Sequence, residues 1–244
     1  MQRYFIDQDA LHEPVIHADE TMHKHMQKVM RNENGDQVIC VDSRHQAVLC
    51  TIVDIEQGVL IREKDLDENH ELDCEVTLIY GLPKGDRFEL VLQKATELGV
   101  TRIVPFLSRR SIIRTDKKRF GKKYPRYQRI IQEAAEQCGR TYLPELTELV
   151  TIKELSAYCS EANIVAYEEL SQNDAPHVLH DTLKLKPASI TIVTGPEGGF
   201  DEDEITAMTA MGFKACSLGK RILRSETAPI YLLSVIGYER ELVK

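Results

Sequence analysis

The spacing of apolar positions changes character near residue 74. Beyond it, short apolar or β-branched runs alternate with longer amphipathic stretches. "VTLIYGL", "RIVPFLS", "NIVAYEE", "SITIVTG" and "KACSLG" read as strands. "RFELVLQKATELG" and "YQRIIQEAAEQCG" read as helices closed by Gly99 and Gly139. Strands that are apolar at successive positions and separated by helices predict a mainly parallel α/β sheet covered on both faces. The last run, "APIYLLSVIGYERE", reads as a helix that is apolar nearly all the way round, through Ile230, Tyr231, Leu232, Leu233, Val235 and Ile236. Such a helix is expected to be buried on more than one side, in core, interface or both.

Ahead of residue 74 the pattern is that of short strands. "QVICVDS", "AVLCTIVDI" and "GVLIREK" are separated by the polar turns "NENGD" and "EQG". "ADETMHKHMQKVMR" reads as a helix with Met22, Met26, Val29 and Met30 near one face. Residues 1–70 are thus expected to form a small β-barrel-like domain. "KDLDENHELD" is the linker, and residues 73–244 form the α/β domain.

Composition narrows the class. With 244 residues, 42% hydrophobic and 29% charged, the chain reads as a soluble globular protein. Asp7, Asp9, Glu13, Asp19 and Glu20 near the start exclude a secretory signal, and no apolar run approaches a membrane span. Six scattered cysteines without a C-x-x-C pair predict reduced, mostly buried thiols in a cytoplasm, with neither zinc site nor disulfide framework. His23 and His25 diverge on their helix. His177 and His180 share a face without a visible third ligand, so no metal is expected.

Net charge is −8, which by itself argues against nucleic acid. Between Arg102 and Arg129, however, eleven Lys or Arg face the single acid Asp116. That +10 block fits a phosphate-binding surface, and Tyr124 and Tyr127 within it suit stacking on bases. A solvated charged face beside a loop fits the same pattern.

Two loops at predicted strand ends carry candidate chemistry, since ligands of open parallel sheets bind past the C-terminal ends of strands. One is "TGPEGGF", Thr194 to Phe200, followed by the helix opener "DEDEI". The other is "SLGKRILRSETAP", Ser217 to Pro229, entering the last helix with Ser225 or Thr227 as N-cap. Neither has the glycine spacing of a nucleotide-phosphate cradle. They leave two readings, a ligand cupped by bare backbone or tight turns with no ligand. Arg221, Arg224, Glu197 and Glu226 supply charge nearby.

Together "TGPEGGF", "LGKRILRSETA", "LQKATELGV" and "EAAEQCGR" resemble the RsmE family, and the resemblance runs over nearly the whole chain. These are SPOUT-class methyltransferases that use S-adenosylmethionine to modify N3 of a uridine in 16S ribosomal RNA. The resemblance implies a C-terminal α/β domain with a deep trefoil knot, an N-terminal PUA-like RNA-binding β-barrel domain and a cytoplasmic homodimer without metal. It implies 16S RNA or the small ribosomal subunit as partner. It places the cofactor on Thr194, Gly195, Pro196, Glu197, Gly198 and Gly199, and on Leu218, Gly219, Arg221, Ile222, Leu223, Arg224, Thr227 and Ala228. The expected RNA contacts are Arg3 and Arg31, then Arg109, Arg110, Arg114, Lys117, Lys118, Lys122 and Lys123.

Methylating N3 requires loss of the imide proton and stabilisation of charge on O2 and O4. Arg224 suits the second task. Glu197 is either a base or a brace for the turn. Against the family pattern the chain has Lys220 for a proline, Ser225 for a threonine and Arg109 for an acid before Arg110-Ser111. Ribose 2′-O-methylation, or a non-catalytic RNA-binding role in ribosome assembly, are the alternatives.

Overall fold

The computed structural model describes residues 1–6, 13–42, 44–113, 115–169 and 177–243. The chain divides into two compact units, residues 1–71 with 132–143, and residues 72–131 with 144–244.

In the first unit a five-stranded sheet has the order β1 (Arg3–Phe5), β3 (Gln37–Val41), β4 (Ala47–Asp54), β5 (Val59–Leu66), β2 (Val15–His17). The β1–β3 pair is parallel and the other pairs are antiparallel. Among the described residues the expected barrel-like domain is a mixed, open sheet, a half-barrel. Alternate residues of β3 and β4 (Val38, Cys40, Val48, Cys50, Ile52) point into a core completed by Tyr4, Ile16 and Leu60.

Helix α1 (Glu20–Lys24) starts at Asp19, whose carboxylate accepts from the Met22 N–H, and continues as a π-helix over His25–Met30. Met22 and Met26 are buried, but Val29 and Met30 are exposed, contrary to the single face expected. The wider π winding carries the last turn off the α-helical phase. Arg31 ends the helix in a left-handed conformation.

Arg3 corrects its expected role as an RNA contact. It is buried, donating to Glu68 at 2.6 Å and to the Arg140 carbonyl at 3.2 Å. A cation so enclosed and satisfied has nothing left to offer a phosphate.

The second unit holds a six-stranded sheet in the order β11 (Lys214–Cys216), β9 (Ala162–Ala166), β10 (Ser189–Thr194), β6 (Glu75–Gly81), β7 (Arg102–Phe106), β8 (Glu145–Leu146). Every pairing is parallel. Two-residue β8 is too short to leave a period in the sequence.

Both faces are covered, which is why the strands read as continuous apolar runs. Val76, Leu78 and Tyr80 of β6 face one core, with α2 (Arg87–Glu97), α4 (Tyr124–Cys138) and α7 (Thr227–Gly237). Ile79, Val104 and Val193 face the other, with Phe200, α6 (Glu202–Ala210) and the 3₁₀ segment Ile152–Tyr158. Each fully buried aliphatic side chain stabilises by about 1.5–3 kcal/mol relative to exposure. Two smaller helices, α3 (Lys117–Gly121) and α5 (Val178–Lys184), complete the unit.

Helix α7 packs on α2 and β10, burying Pro229, Leu232, Leu233 and Ile236, while Tyr231 remains 41% exposed. Within one chain, then, α7 is not enclosed all round. Its N-cap position is Glu226, without a side-chain cap bond, rather than Ser225 or Thr227. The Ser225 hydroxyl instead donates to the Glu226 carboxylate at 3.2 Å.

All six cysteines are free, and Cys40, Cys50, Cys74 and Cys216 are buried. Among the described residues no helix is long and apolar enough to cross a membrane.

Candidate active site

Strand order reverses where β6 meets β10, and a crevice opens beyond the C-terminal ends of the strands on that side. There a cavity of about 600 Å³ is walled by the loops leaving β9, β10 and β11 and by Arg87 at the start of α2. That volume suits a ligand of cofactor size.

The loop after β10 is pressed against its surroundings. A Cβ on Gly81, the last residue of β6, would lie 2.5 Å from Pro196 Cδ and 2.6 Å from Pro196 N. On Gly198 a Cβ would meet the Arg110 carbonyl oxygen at 2.8 Å and its Cβ at 3.0 Å. The chain after β7 thus lies against Gly198, which does not line the cavity.

Acids and cations hold these segments together. The Lys84 N–H donates to Glu197 at 2.8 Å, and Arg87 pairs with the same carboxylate. Arg87 also reaches Glu226 at 3.5 Å. One guanidinium thus links α2, the glycine loop and the entry to α7.

The acidic opener "DEDEI" does comparable work on the other side. Glu204, 2% exposed, accepts from the Ser108 hydroxyl at 2.9 Å, the Arg109 N–H at 3.0 Å and the Asp201 N–H at 3.2 Å. Asp201 returns a capping bond to the Glu204 N–H at 2.8 Å. That bond and Arg109 hold the Asp201 carboxyl below the usual carboxylate range.

Two buried hydroxyls lie near the crevice, that of Tyr80 with Ser225 beside it and that of Thr194 without a partner among the described residues. Tyr80 Oη and Thr194 Oγ1 belong to residues opposite one another at the ends of β6 and β10. Burial pushes the Tyr80 phenol upward, and the Glu226 and Glu197 charges add to the shift. On the β9 side, Tyr167 donates to Glu169 at 2.6 Å and is pushed up to about 12 by that bond. It is a neutral hydroxyl at any physiological pH. Among the described residues no group of three or more His, Cys, Asp or Glu is placed to hold a metal ion.

A family model of the RNA methyltransferase domain matches residues 70–237, and one of the RNA methyltransferase PUA domain matches residues 24–63. Ribosomal RNA small subunit methyltransferase E of Bacillus subtilis is 36% identical, over 100% of this chain and 99% of that protein. The chain belongs to the ribosomal RNA small subunit methyltransferase E family.

Among the solved structures that share its fold, two are similar over nearly their whole length. The family member from Neisseria gonorrhoeae, bound to S-adenosyl methionine, is 26% identical with a TM-score of 0.83, covering 97% of this chain and 96% of that one. A putative methyltransferase from Legionella pneumophila, in complex with the bound cofactor SAM, is 29% identical with a TM-score of 0.84 and 96% coverage of both chains.

Of the residues the family resemblance assigned to the cofactor, Gly195, Pro196, Glu197, Gly199, Leu218, Gly219, Arg221, Ile222, Leu223, Arg224 and Ala228 line the cavity. Thr194, Gly198 and Thr227 do not. The sequence reading missed Arg87, Tyr167 and Glu168. The signal for the last two was the strand end of "NIVAYEE", read as strand throughout. Arg87 carried none, because its partners are more than a hundred residues away in the chain.

The basic block is largely neutralised within the protein. Arg102 pairs with Glu145, Arg109 with Asp201 and Asp203, Arg110 with Glu169, Lys117 with Glu154, Arg119 with Asp116, and Arg126 with Glu89. Lys117 and the Thr151 N–H hold Glu154 down to about 2. Lys118, Lys122 and Lys123 are exposed without an ion pair among the described residues, and Arg114 lies outside them. Tyr127 is buried against Phe88 and Phe120, and the Tyr124 hydroxyl donates to the Leu146 carbonyl. The expected stacking of bases on this pair is corrected accordingly.

The Arg87 bridge yields a direct test. Arg87→Ala should weaken binding of S-adenosylhomocysteine at least tenfold, since two carboxylates lose their common partner and the loops their link. The expected change in unfolding midpoint is small, because bridges this exposed add only about 0–1 kcal/mol each. Calorimetric titration alongside thermal unfolding checks it, and unchanged affinity would show that the bridge does not shape the cavity.

Proposed function

We propose that this protein transfers a methyl group from S-adenosylmethionine to N3 of a uridine in 16S ribosomal RNA. The observation that carries the reading is the cavity at the C-terminal strand ends, lined by both carboxylates and cations, in a fold shared with relatives solved with that cofactor. The residues present fit the group. Glu168, Glu197 and Glu226 suit a ligand of net positive charge, and Leu218, Leu223, Ala166 and Ala228 give apolar contact. The cofactor supplies an electrophilic methyl group on a sulfonium.

The chain's own residues then divide the work. Arg224 lines the cavity, is exposed and has no acidic partner among the described residues. It is free to stabilise O2 or O4 of the uracil as imidate charge develops. Glu197 accepts from the Lys84 N–H and from Arg87, so its carboxylate is occupied in tying the glycine loop to the start of α2. We therefore assign Glu197 to bracing.

Residues 1–70 serve as the PUA-like RNA-binding domain, with residues 73–244 as the methyltransferase domain. We infer that the final segment is knotted. The segment after β11, at one sheet edge, must return past the strand ends to reach α7 against β10 and α2. Tyr231, Tyr238 and Leu242 are 41%, 60% and 71% exposed and suit a homodimer interface. The substrate places the activity in the cytoplasm.

Nucleoside analysis of small-subunit RNA tests the reading. N3-methyluridine should disappear from cells lacking the protein and return on complementation. Its persistence, or loss of a 2′-O-methylated nucleoside in its place, would overturn the proposal.

A further inference from the structure

The loop from β11 to α7 presents cations that no acid among the described residues neutralises. Lys220 and Arg221 line the mouth of the cavity, are exposed, and pair with no acid among the described residues. This contrasts with the block between Arg102 and Arg129, where at least six cations are matched to acids of the same chain. Next to them Ile222 is 85% exposed, an apolar side chain held out in solvent beside two cations.

Electrostatics separates two parts of the site. A sulfonium cofactor with one ammonium and one carboxylate carries a net positive charge, which suits the carboxylates of the cavity and is repelled by Lys220 and Arg221. These cations suit a polyanion. An apolar tip beside them suits the face of an unstacked base, because single-stranded nucleic acids are held by cations along the backbone and by apolar or aromatic contact to bases.

We propose that Lys220, Arg221 and Ile222 form the contact surface for single-stranded RNA at the cavity mouth. The two cations take phosphates beside the target nucleotide and Ile222 packs on a neighbouring base. The inference rests on the RNA-methyltransferase reading above. It adds this loop, as a phosphate contact, to Lys118, Lys122 and Lys123, which are unpaired among the described residues.

The test is a salt titration of binding to a single-stranded oligouridylate, using the full chain. For the Lys220→Gln, Arg221→Gln double variant, the plot of log affinity against log salt should become shallower by about 1.4, because each phosphate neutralised on a single strand contributes roughly 0.7 to the slope. Ile222→Ser should lower affinity severalfold at every salt concentration and leave the slope unchanged. Affinity for S-adenosylhomocysteine should fall by less than affinity for the oligouridylate in both variants. A double variant with the parental slope would overturn the proposal, as would a loss of cofactor affinity equal to the loss for RNA, which would assign these cations to the cofactor carboxylate. Failure of the parent itself to bind or methylate RNA would instead overturn the functional reading, and this surface with it.

Discussion

Gly81→Val should abolish measurable binding of S-adenosylhomocysteine and lower stability by about 3 kcal/mol or more. The added Cβ alone would sit 2.5 Å from Pro196 Cδ and 2.6 Å from Pro196 N, inside contact distance. Neither side yields easily. Gly81 ends the strand whose Tyr80 is in register with Thr194 of β10, and Pro196 follows two residues later. Overpacking a rigid site typically costs about 1–3 kcal/mol, and a clash with backbone falls at the upper end. Gly121→Ala is the matching control, because nothing lies within 4 Å of a Cβ there and its helix accepts alanine. Calorimetry and urea unfolding of both variants decide the matter. A Gly81→Val protein that binds like the parent would mean that the close approach does not shape the cavity.

Glu204→Ala should destabilise the protein by about 3 kcal/mol. It removes a buried carboxylate that accepts from Ser108, Arg109 and Asp201, and each buried donor left without an acceptor costs about 1–3 kcal/mol before relaxation. The loss should also travel. Arg109 precedes Arg110, whose carbonyl lies against Gly198, so freeing the segment after β7 loosens the back of the glycine loop. Faster amide exchange at residues 108–111 and weaker cofactor binding are expected together. Glu204→Gln, which keeps an acceptor oxygen, should recover much of both. Destabilisation without faster exchange in that segment would confine Glu204 to capping α6.

These two sites show how differently residues announce themselves. The glycine loop was legible because three glycines and a proline in a short span at a strand end restrict what the backbone can do. Its position at the crevice followed from strand–helix alternation. Glu204 was legible only as part of an acidic helix start, and its buried contacts to the segment after β7 left no local trace. Gly81 reads in the sequence as an ordinary strand end, and nothing near Gly198 in the chain signals that Arg110 lies against it.

The charged residues separate the levels further. Eleven cations in one block suggested a polyanion surface, yet acids from β8, α2, α6 and the 3₁₀ segment match many of them. The single block charge counted neighbours along the chain, whereas Coulomb attraction counts neighbours in space. Tyr127 was placed among charges by sequence and among aromatic rings by packing.

What the sequence by itself determined was the set of elements and the location of the two cavity loops, because apolar periodicity, glycine and proline act within a few residues. Only the tertiary structure decided which strands adjoin, which cations remain unpaired at the cavity mouth, and that Arg87 joins Glu197 to Glu226. Those outcomes depend on contacts between residues far apart in the chain, and no local pattern encodes which of many possible partners a folded backbone brings within reach.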